Sequence, residues 1–435
     1  MAQIVHVTTL TDPVAVDQPA APVMALEISQ TASGPQLLAT SPAGGVVTAY
    51  ALSGDAPATR IGQQALTEPP AAGGGKVSPE IAISLNGQTW RVVLDHAADT
   101  VELFSLNPSG GSTLVDTMGA AQGLGISTPT QLAALEMGGT AYVVVGAAGS
   151  SSLTVLEVTA AGELIPRDHI FDDLSTRFSR VTSLETIQMD GRSYVIAGGA
   201  DDGLSLFELL PGGRLVHLDT VEDSHDLALA NVVSLAAQET PGGMQIFAGS
   251  ESEPGVTQLQ VSFGVSGAVQ VASDGGGTLT GTAGEDLLVG GAGADLLKGG
   301  GGADLLLDGS GSDRLQGGAG ADLFLLDADG EVDHILDFDP RVDALDLSAW
   351  TMLRSLDQLA ISLTSDGARL SFRDEVLILH NPQGGAYDPA LLAGLDVLNL
   401  SRVHLTMFDD LVPEPVQTLF EGTEAGGDGQ GFEHR

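Results

Sequence analysis

The chain of 435 residues contains no cysteine, so disulfides contribute nothing to its stability. Aromatic residues make up 4% of it, and only 16 lysines and arginines stand against 57 acids, which gives a formal net charge of −41. Nucleic acid and anionic membrane are therefore poor partners. The apolar content of 43% still permits a core, and the length allows two or three domains.

Long apolar runs are also missing from the chain. No stretch approaches the roughly eighteen uninterrupted apolar residues of a spanning helix, so no transmembrane segment is expected. Residues 1–22 have neither the basic start nor the apolar run of a secretory signal, and no such signal is expected there.

Glycine and aspartate, in contrast, are abundant and keep a fixed register. Five nonapeptides of the form Gly-Gly-any-Gly-any-Asp-any-apolar-any run without a gap from Gly281 to Leu325. The period predicts six turning residues and a three-residue strand in each unit. A flexible glycine linker would need neither aspartate nor an apolar residue at fixed phase.

Each unit supplies the ligands that Ca²⁺ prefers. Glycines adopt positive φ without steric cost, so loop carbonyls can converge, and aspartate adds an anionic oxygen. Calcium takes roughly six to eight oxygens, which two neighbouring loops can supply together. Two units make one coil, so five units stack in three loop pairs, and about three ions are expected. The candidate metal ligands are Asp286, Gly290, Gly291, Gly293, Asp295, Gly299, Gly300, Gly302, Asp304, Gly309, Gly311, Asp313, Gly317, Gly318, Gly320 and Asp322.

Two units depart from the pattern. Thr282 replaces the second glycine of unit one, and Asp308 replaces the first glycine of unit four. We expect these terminal loops to bind calcium more weakly.

The position after each aspartate points outward, because side chains alternate along a strand. In odd units this position holds leucine, and an exposed leucine stripe would be a sticky surface. We expect the odd face to be covered by the apolar segment Leu359–Leu379 and the even face to be wetter. The odd positions are Leu287, Leu305 and Leu323, and the even positions are Leu296 and Arg314.

The repeats resemble the repeats-in-toxin family, and Asp333–Ser348 (DHILDFDPRVDALDLS) resembles the C-terminal domain of serralysin-type secreted proteases. The resemblance implies a calcium-binding β-roll and a secreted, extracellular or cell-surface location. It also implies export through a type I secretion apparatus, with an uncleaved signal in the last sixty or so residues.

The acidity of the repeats indicates that calcium and folding are coupled. Fifteen acids against three bases lie between Gly275 and Asp346, so this part should fold only with divalent ions. Extracellular calcium modules bind at about 10⁻⁴ to 10⁻³ M, so the chain is expected to stay open inside the cell and fold outside.

A second, longer period of 51 to 53 residues precedes the repeats. Each of its five units has four strands, which predicts the blades of a propeller. The short strand Gln3–Thr9 would pair with the last blade and close the ring, while a pair of β-sandwiches is the alternative. Equivalent positions in the five units are Leu37, Trp90, Tyr142, Tyr194 and Gln245.

The expected fold class is all-β, with an N-terminal β-propeller of about five blades followed by a parallel β-roll. The predicted domains are a propeller (1–274), a calcium-binding roll (275–350), a β-rich cap with the secretion-signal region (351–412) and a disordered acidic tail (413–435).

Catalytic motifs are scarce. The His-Glu-any-any-His zinc motif of the serralysins is absent, and no Gly-any-Ser-any-Gly elbow leads into a helical pattern. For each remaining candidate, a solvated polar turn is the alternative to a catalytic role. The candidates are His225, the pair Asp95–His96, the pair Asp168–His169, and the pair Asp201–Asp202, which either binds a cation or forms a turn.

The sequence therefore predicts a secreted calcium-binding protein whose propeller recognises a glycan or protein ligand. A propeller hydrolase or lactonase is one alternative, favoured if aspartate and histidine converge in the central channel. A structural or adhesive surface protein is the other, favoured if small and apolar residues line that channel.

Overall fold

The computed structural model describes residues 2–10, 22–42, 45–65, 79–107, 109–224 and 226–403. Strands dominate it and form seven sheets. Five sheets build the propeller and two build the roll, so the predicted fold class is confirmed. The predicted tail, residues 413–435, and most of the expected secretion signal lie outside the described residues.

Twenty strands form the five antiparallel blades of the propeller, four in each. Four blades use consecutive strands, the last blade includes the first strand of the chain, and the short strand Ser401–Arg402 adds to the edge of the third blade. The strands are β1 Gln3–Leu10, β2 Ala25–Thr31, β3 Gly34–Ser41, β4 Val46–Ala51, β5 Thr59–Ala65, β6 Glu80–Leu85, β7 Gln88–Asp95, β8 Thr100–Leu106, β9 Ser112–Gly119, β10 Pro129–Met137, β11 Thr140–Ala147, β12 Ser152–Val158, β13 Leu164–Phe171, β14 Ser183–Met189, β15 Arg192–Gly198, β16 Gly203–Leu209, β17 Leu215–Glu222, β18 Val232–Thr240, β19 Gly243–Ser250 and β20 Val256–Ser262.

The first strand closes the ring, as the sequence predicts. The last blade has the order β1-β20-β19-β18, and β1 runs antiparallel to β20, with Ile4 opposite Val261. The equivalent positions of the 52-residue period all fall on the second strand of a blade, namely β3, β7, β11, β15 and β19. The period therefore located the blades correctly.

Glycine near the end of the second strand lets one blade approach the next. A Cβ on Gly146 would lie 2.5 Å from the side chain of Val181, and one on Gly198 would lie 2.8 Å from that of Val232. A Cβ on Gly249 would lie 2.5 Å from the carbonyl oxygen of Val23, which precedes the first blade. The last blade thus meets the first as closely as its predecessors meet their neighbours.

Twelve further strands form the roll and its extension. They are β21 Ser266–Val271, β22 Thr278–Thr280, β23 Glu285–Val289, β24 Leu296–Gly301, β25 Leu305–Leu307, β26 Arg314–Ala319, β27 Leu323–Leu325, β28 Val332–Ile335, β29 Ala344–Asp346, β30 Ala360–Leu363, β31 Gly367–Phe372 and β32 Glu375–His380. A short helix, α1 (Pro389–Leu392), and the strand β33 (Ser401–Arg402) follow; 3₁₀ turns cover Ala120–Gln122 and Leu356–Gln358.

The roll has two parallel sheets whose strands pair one coil apart. One sheet has the order β21-β23-β25-β27-β29, and the other begins β22-β24-β26-β28. Leu287 lies opposite Leu305, and Leu296 lies opposite Arg314, so the coil of eighteen residues is confirmed. The first roll strand begins at Ser266, upstream of the boundary expected at residue 275. The apolar residue of every unit is buried inside: Leu288, Leu297, Leu306, Leu315 and Phe324.

The odd face of the roll is covered, but by the propeller. Leu287, Leu305 and Leu323 are 2%, 4% and 5% exposed and pack against Leu210 and Val216 of the fourth blade. The even face is wetter, as expected, since Arg314 is exposed.

The expectation that Leu359–Leu379 covers the odd face was wrong. This segment instead forms β30 to β32, which extend the even sheet because β32 pairs parallel to β28. Its inward side chains, Leu370, Leu377 and Leu379, are fully buried and lengthen the interior of the roll.

Two arginines fix the roll to the propeller. Arg214 donates to Asp327 at 2.7 Å and to Asp346 at 2.9 Å. Arg402 forms an ion pair with Asp168 and donates to the carbonyl of Leu215 at 2.8 Å. Burial alone would raise the pKa of Asp346, but the two guanidinium groups outweigh it and hold that pKa below its usual value.

Leu305 and Leu296 hold the same repeat position on opposite faces of the roll, so docking of one face should make their contributions to stability differ. We expect Leu305→Ala to lower the free energy of unfolding by about 2–5 kcal/mol, because it opens a cavity against the propeller. Leu296→Ala, on the half-buried even face, is the matched control and should cost clearly less. Urea denaturation of the full chain at fixed millimolar calcium measures both, and equal losses would contradict the docking.

Candidate metal centre

The loops that join the two sheets form two rows, each with one aspartate per coil. The first loop row carries Asp286, Asp304, Asp322 and Asp343; the second loop row carries Asp295, Asp313 and Asp333. All but Asp343 are at most 4% exposed. Fully charged carboxylates are rarely buried in this way unless a counter-charge accompanies them.

Backbone amides connect the aspartates of each row. The amide of Asp286 donates to Oδ1 of Asp304 at 2.8 Å, and that of Asp304 donates to Oδ1 of Asp322 at 3.0 Å. In the second row, the amide of Asp295 donates to Oδ1 of Asp313 at 2.7 Å. These contacts join the loops of units one and three, three and five, and two and four.

Both rows continue beyond the nonapeptides. The amide of Asp313 donates to Oδ1 of Asp333 at 2.9 Å, and that of Asp322 donates to Oδ1 of Asp343 at 3.2 Å. Sequence reasoning missed Asp333 and Asp343 because their loops are longer and break the period of nine. The available signal was the repeated Asp-any-apolar pattern, since Ile335 and Leu345 follow two positions later.

One oxygen in several of these carboxylates has no partner. Oδ1 of Asp295, Oδ2 of Asp304 and Oδ2 of Asp313 are buried without a hydrogen bond to any residue that the structure describes. A buried polar oxygen is costly when unpaired, and a hard cation is the natural partner for an anionic one. The residues present therefore fit Ca²⁺.

The loop glycines are required for space as well as for backbone shape. A Cβ on Gly299 would lie 2.1 Å from Oδ2 of Asp304, and one on Gly317 would lie 2.2 Å from Oδ2 of Asp322. Gly302 (φ +114°) additionally adopts a left-handed conformation. The first glycine of the odd units thus leaves room beside the carboxylate.

Burial and mutual repulsion disfavour the charged form of these aspartates. Burial, followed by the charge of neighbouring aspartates, raises the pKa of Asp304 and Asp313 to about 6. The same causes raise the pKa of Asp322 and Asp333 to about 7. A divalent ion placed among them would remove the repulsion and restore the charged form.

Unit one differs from the others. The hydroxyl of Thr282 donates to the Asp286 carboxylate at 3.1 Å, and the backbone amides of Thr282 and Ala268 donate to it at 2.8 and 2.5 Å. Protein donors thus already occupy both Asp286 oxygens. The weaker binding expected for this loop remains a prediction, and this contact set is its physical reason.

Family comparison agrees with this geometry. The family described as the RTX calcium-binding nonapeptide repeat (4 copies) matches residues 271–306 and 298–329, which form the roll. Residues 271–329 are therefore RTX calcium-binding repeats. No curated protein matches it by sequence.

Solved structures overlap with separate parts of the chain. A subunit of the mannuronan C5-epimerase from Azotobacter vinelandii is 30% identical over 37% of this chain and 91% of that one, with a TM-score of 0.22. An exo-β-1,3-galactanase from Phanerochaete chrysosporium is 12% identical over 59% of this chain and 63% of that one, with a TM-score of 0.30. This chain thus spans less than two thirds of the galactanase, and overlaps of this quality carry no argument about activity.

The candidate catalytic residues that the structure describes lie on different blades of the propeller. Asp168 is buried in the ion pair with Arg402, and His169 shares a hydrogen bond of 2.8 Å with Thr154. Burial lowers the pKa of His169 despite the charge of Asp168. These contacts hold strands and domains together.

The other candidates lie in turns. Asp95 accepts the amides of Ala97 and Ala98 at 2.7 and 3.1 Å, beside His96. Asp201 accepts the amide of Ser179 at 3.0 Å, and Asp202 accepts that of Asn231 at 3.1 Å. His225 lies outside the described residues.

Calcium should order the RTX domain of the full chain, and Asp304 should matter for it. Asp304 takes part in two loop pairs, so Asp304→Asn should raise the calcium midpoint of amide protection in residues 281–325 by about tenfold. Asp357→Asn removes the same charge at an exposed site outside the loops and is the control. Hydrogen exchange across a calcium titration measures this effect; equal midpoints for the two variants would contradict the ligand assignment.

Proposed function

We propose that the chain is a secreted protein whose RTX domain folds on extracellular calcium after type I export. The observation that supports it best is the double row of buried aspartates, three of which keep an oxygen with no hydrogen-bond partner among the described residues. Without a cation, the repulsion between these carboxylates destabilises the folded roll. A bound cation removes this repulsion and stabilises the fold. Folding is thereby conditional on the calcium concentration.

The difference in calcium concentration between the cytosol and the outside of the cell switches folding of the RTX domain. Extracellular calcium modules bind at about 10⁻⁴ to 10⁻³ M, far above resting cytosolic calcium. An unfolded chain can pass through a narrow export channel, whereas a folded roll cannot. Calcium outside then fills the loops and drives folding.

The propeller recognises a glycan or protein ligand in this proposal. A cavity of about 630 Å³ opens between the inner strands of three blades, that is, the first strand of each, β2, β14 and β18. Its walls combine small and apolar residues such as Ala236 and Ile187 with the polar side chains of Gln30, Gln188 and Gln238. Apolar walls with a few hydrogen-bonding groups are typical of binding sites.

Export provides the test of the proposal. In a host that expresses a type I secretion system, the full chain should appear in the medium, whereas a chain ending at residue 403 should stay in the cells. Exported protein should resist protease in millimolar calcium and become sensitive in its RTX domain after chelation. Equal retention of both chains, or equal protease resistance in chelator, would count against the proposal.

A propeller hydrolase is the second candidate, and one residue favours it. Glu185, on the inner strand β14, lines the same cavity, and burial raises its pKa to about 7. A carboxylic acid that titrates near neutral pH suits general acid catalysis. The neighbouring carboxylates Glu27 and Glu239 line the cavity as well.

The pKa of Glu185 predicts a pH-dependent stability. Because its folded pKa exceeds the unfolded value of 4.5, the folded state binds more protons, and stability falls as pH rises from about 4.5 to about 7. Glu185→Gln should therefore be more stable than the wild type at pH 8 and nearly equal to it at pH 5.

Urea denaturation at saturating calcium measures this difference. Glu136→Gln, at an exposed position of the inner strand β10, is the matched control. If the two substitutions gave the same pH profile, Glu185 would not be a buried acid.

A further inference from the structure

The loop of unit four carries a carboxylate where the other units carry glycine. Asp308 stands at the position held by Gly281, Gly290, Gly299 and Gly317. A Cβ on the glycine of units three and five would lie 2.1 and 2.2 Å from Oδ2 of the aspartate five residues later. In the odd units, the first position therefore faces the unit's own candidate metal ligand.

The side chain of Asp308 meets two other carboxylates. One oxygen each of Asp308, Asp313 and Asp333 lies within 4.8 Å of the others. The three residues are 1%, 0% and 4% exposed. The cluster thus combines a residue at a glycine position, a motif aspartate and a residue from outside the repeats.

The hydrogen bonds orient these carboxylates and leave one oxygen free. Oδ1 of Asp308 accepts the amides of Gly309 and Asp327 at 2.7 and 2.9 Å. Oδ1 of Asp333 accepts the amide of Asp313 at 2.9 Å. Oδ2 of Asp313 is buried without a hydrogen-bond partner among the residues that the structure describes. This unpaired oxygen is an observation independent of the clustering, and it points to a missing ligand.

The buried guanidinium on the propeller side of the cluster is paired with other carboxylates. Arg214 pairs with Asp327 and with Asp346, neither of which belongs to the cluster. Three buried carboxylates at this separation repel one another strongly. A compact divalent cation relieves that repulsion, and an all-oxygen, anionic donor set favours calcium over softer metals.

We propose that Asp308, Asp313 and Asp333 form a calcium site that binds more tightly than the loop pairs with two aspartates. The inference rests on the proposed calcium-dependent function and names one site within it. Calcium affinity rises with the number of anionic ligands, and this site has three. The departure at Asp308, which the sequence suggested would weaken unit four, therefore strengthens it.

Two substitutions of Asp308 separate this proposal from a merely degenerate repeat. Asp308→Gly restores the nonapeptide consensus, so it should improve binding if Asp308 is a defect. If Asp308 is a ligand, Asp308→Gly and Asp308→Asn should both weaken the tightest site by about tenfold. Glu331→Gln removes one negative charge at an exposed position near the same loop and should leave that site unchanged.

Calorimetric titration of the full chain with CaCl₂, after chelator treatment, gives the stoichiometry and the affinity of each class of site. Circular dichroism in saturating calcium verifies that each variant folds, and Asp308→Asn keeps an oxygen for the two backbone amides. Unchanged or tighter first-site binding in Asp308→Asn, or in a folded Asp308→Gly, would overturn the proposal. Wild-type protein that bound no calcium at all would instead overturn the proposed function.

Discussion

The structure depends on carboxylates that are buried next to one another with no ion-pair partner among the described residues. In the described residues, Arg214 and Arg402 neutralise Asp327, Asp346 and Asp168, all at the contact between roll and propeller. The aspartates of the two loop rows instead accept backbone amides, which orient the carboxylates without cancelling their charge. The parallel sheets hold the rows in register, and the calcium ions proposed for the loops would offset the repulsion between the carboxylates.

This dependence extends to the propeller through the covered face. The same coils that align the aspartates place Leu287, Leu305 and Leu323 in one stripe, which packs on the fourth blade. An open roll would leave that blade's Leu210 and Val216 without their cover. Calcium binding and domain docking are therefore linked, because both need the coils in register.

The sequence predicted the elements of the fold correctly wherever a repeat kept a strict period. The nine-residue period located the coils and the loop pairs, and the 52-residue period located the second strands and the closing strand β1. Prediction from the sequence failed where contacts depend on how segments are placed in three dimensions. Leu359–Leu379 was correctly recognised as apolar, but hydrophobicity alone does not decide whether a segment covers a face or extends a sheet. Asp333 and Asp343 were missed because two or three inserted residues hide them from a fixed spacing.

The candidate calcium sites along the roll differ in their ligands, and the difference follows the direction of the chain. At the N-terminal end, Thr282 and Ala268 already donate to the Asp286 carboxylate, so a cation must compete with protein donors there. At the C-terminal end, Asp308 adds a third carboxylate beside an oxygen that has no donor. If ligand charge sets the affinity of the proposed sites, affinity increases toward the end of the roll where Asp327, whose amide donates to Asp308, pairs with Arg214.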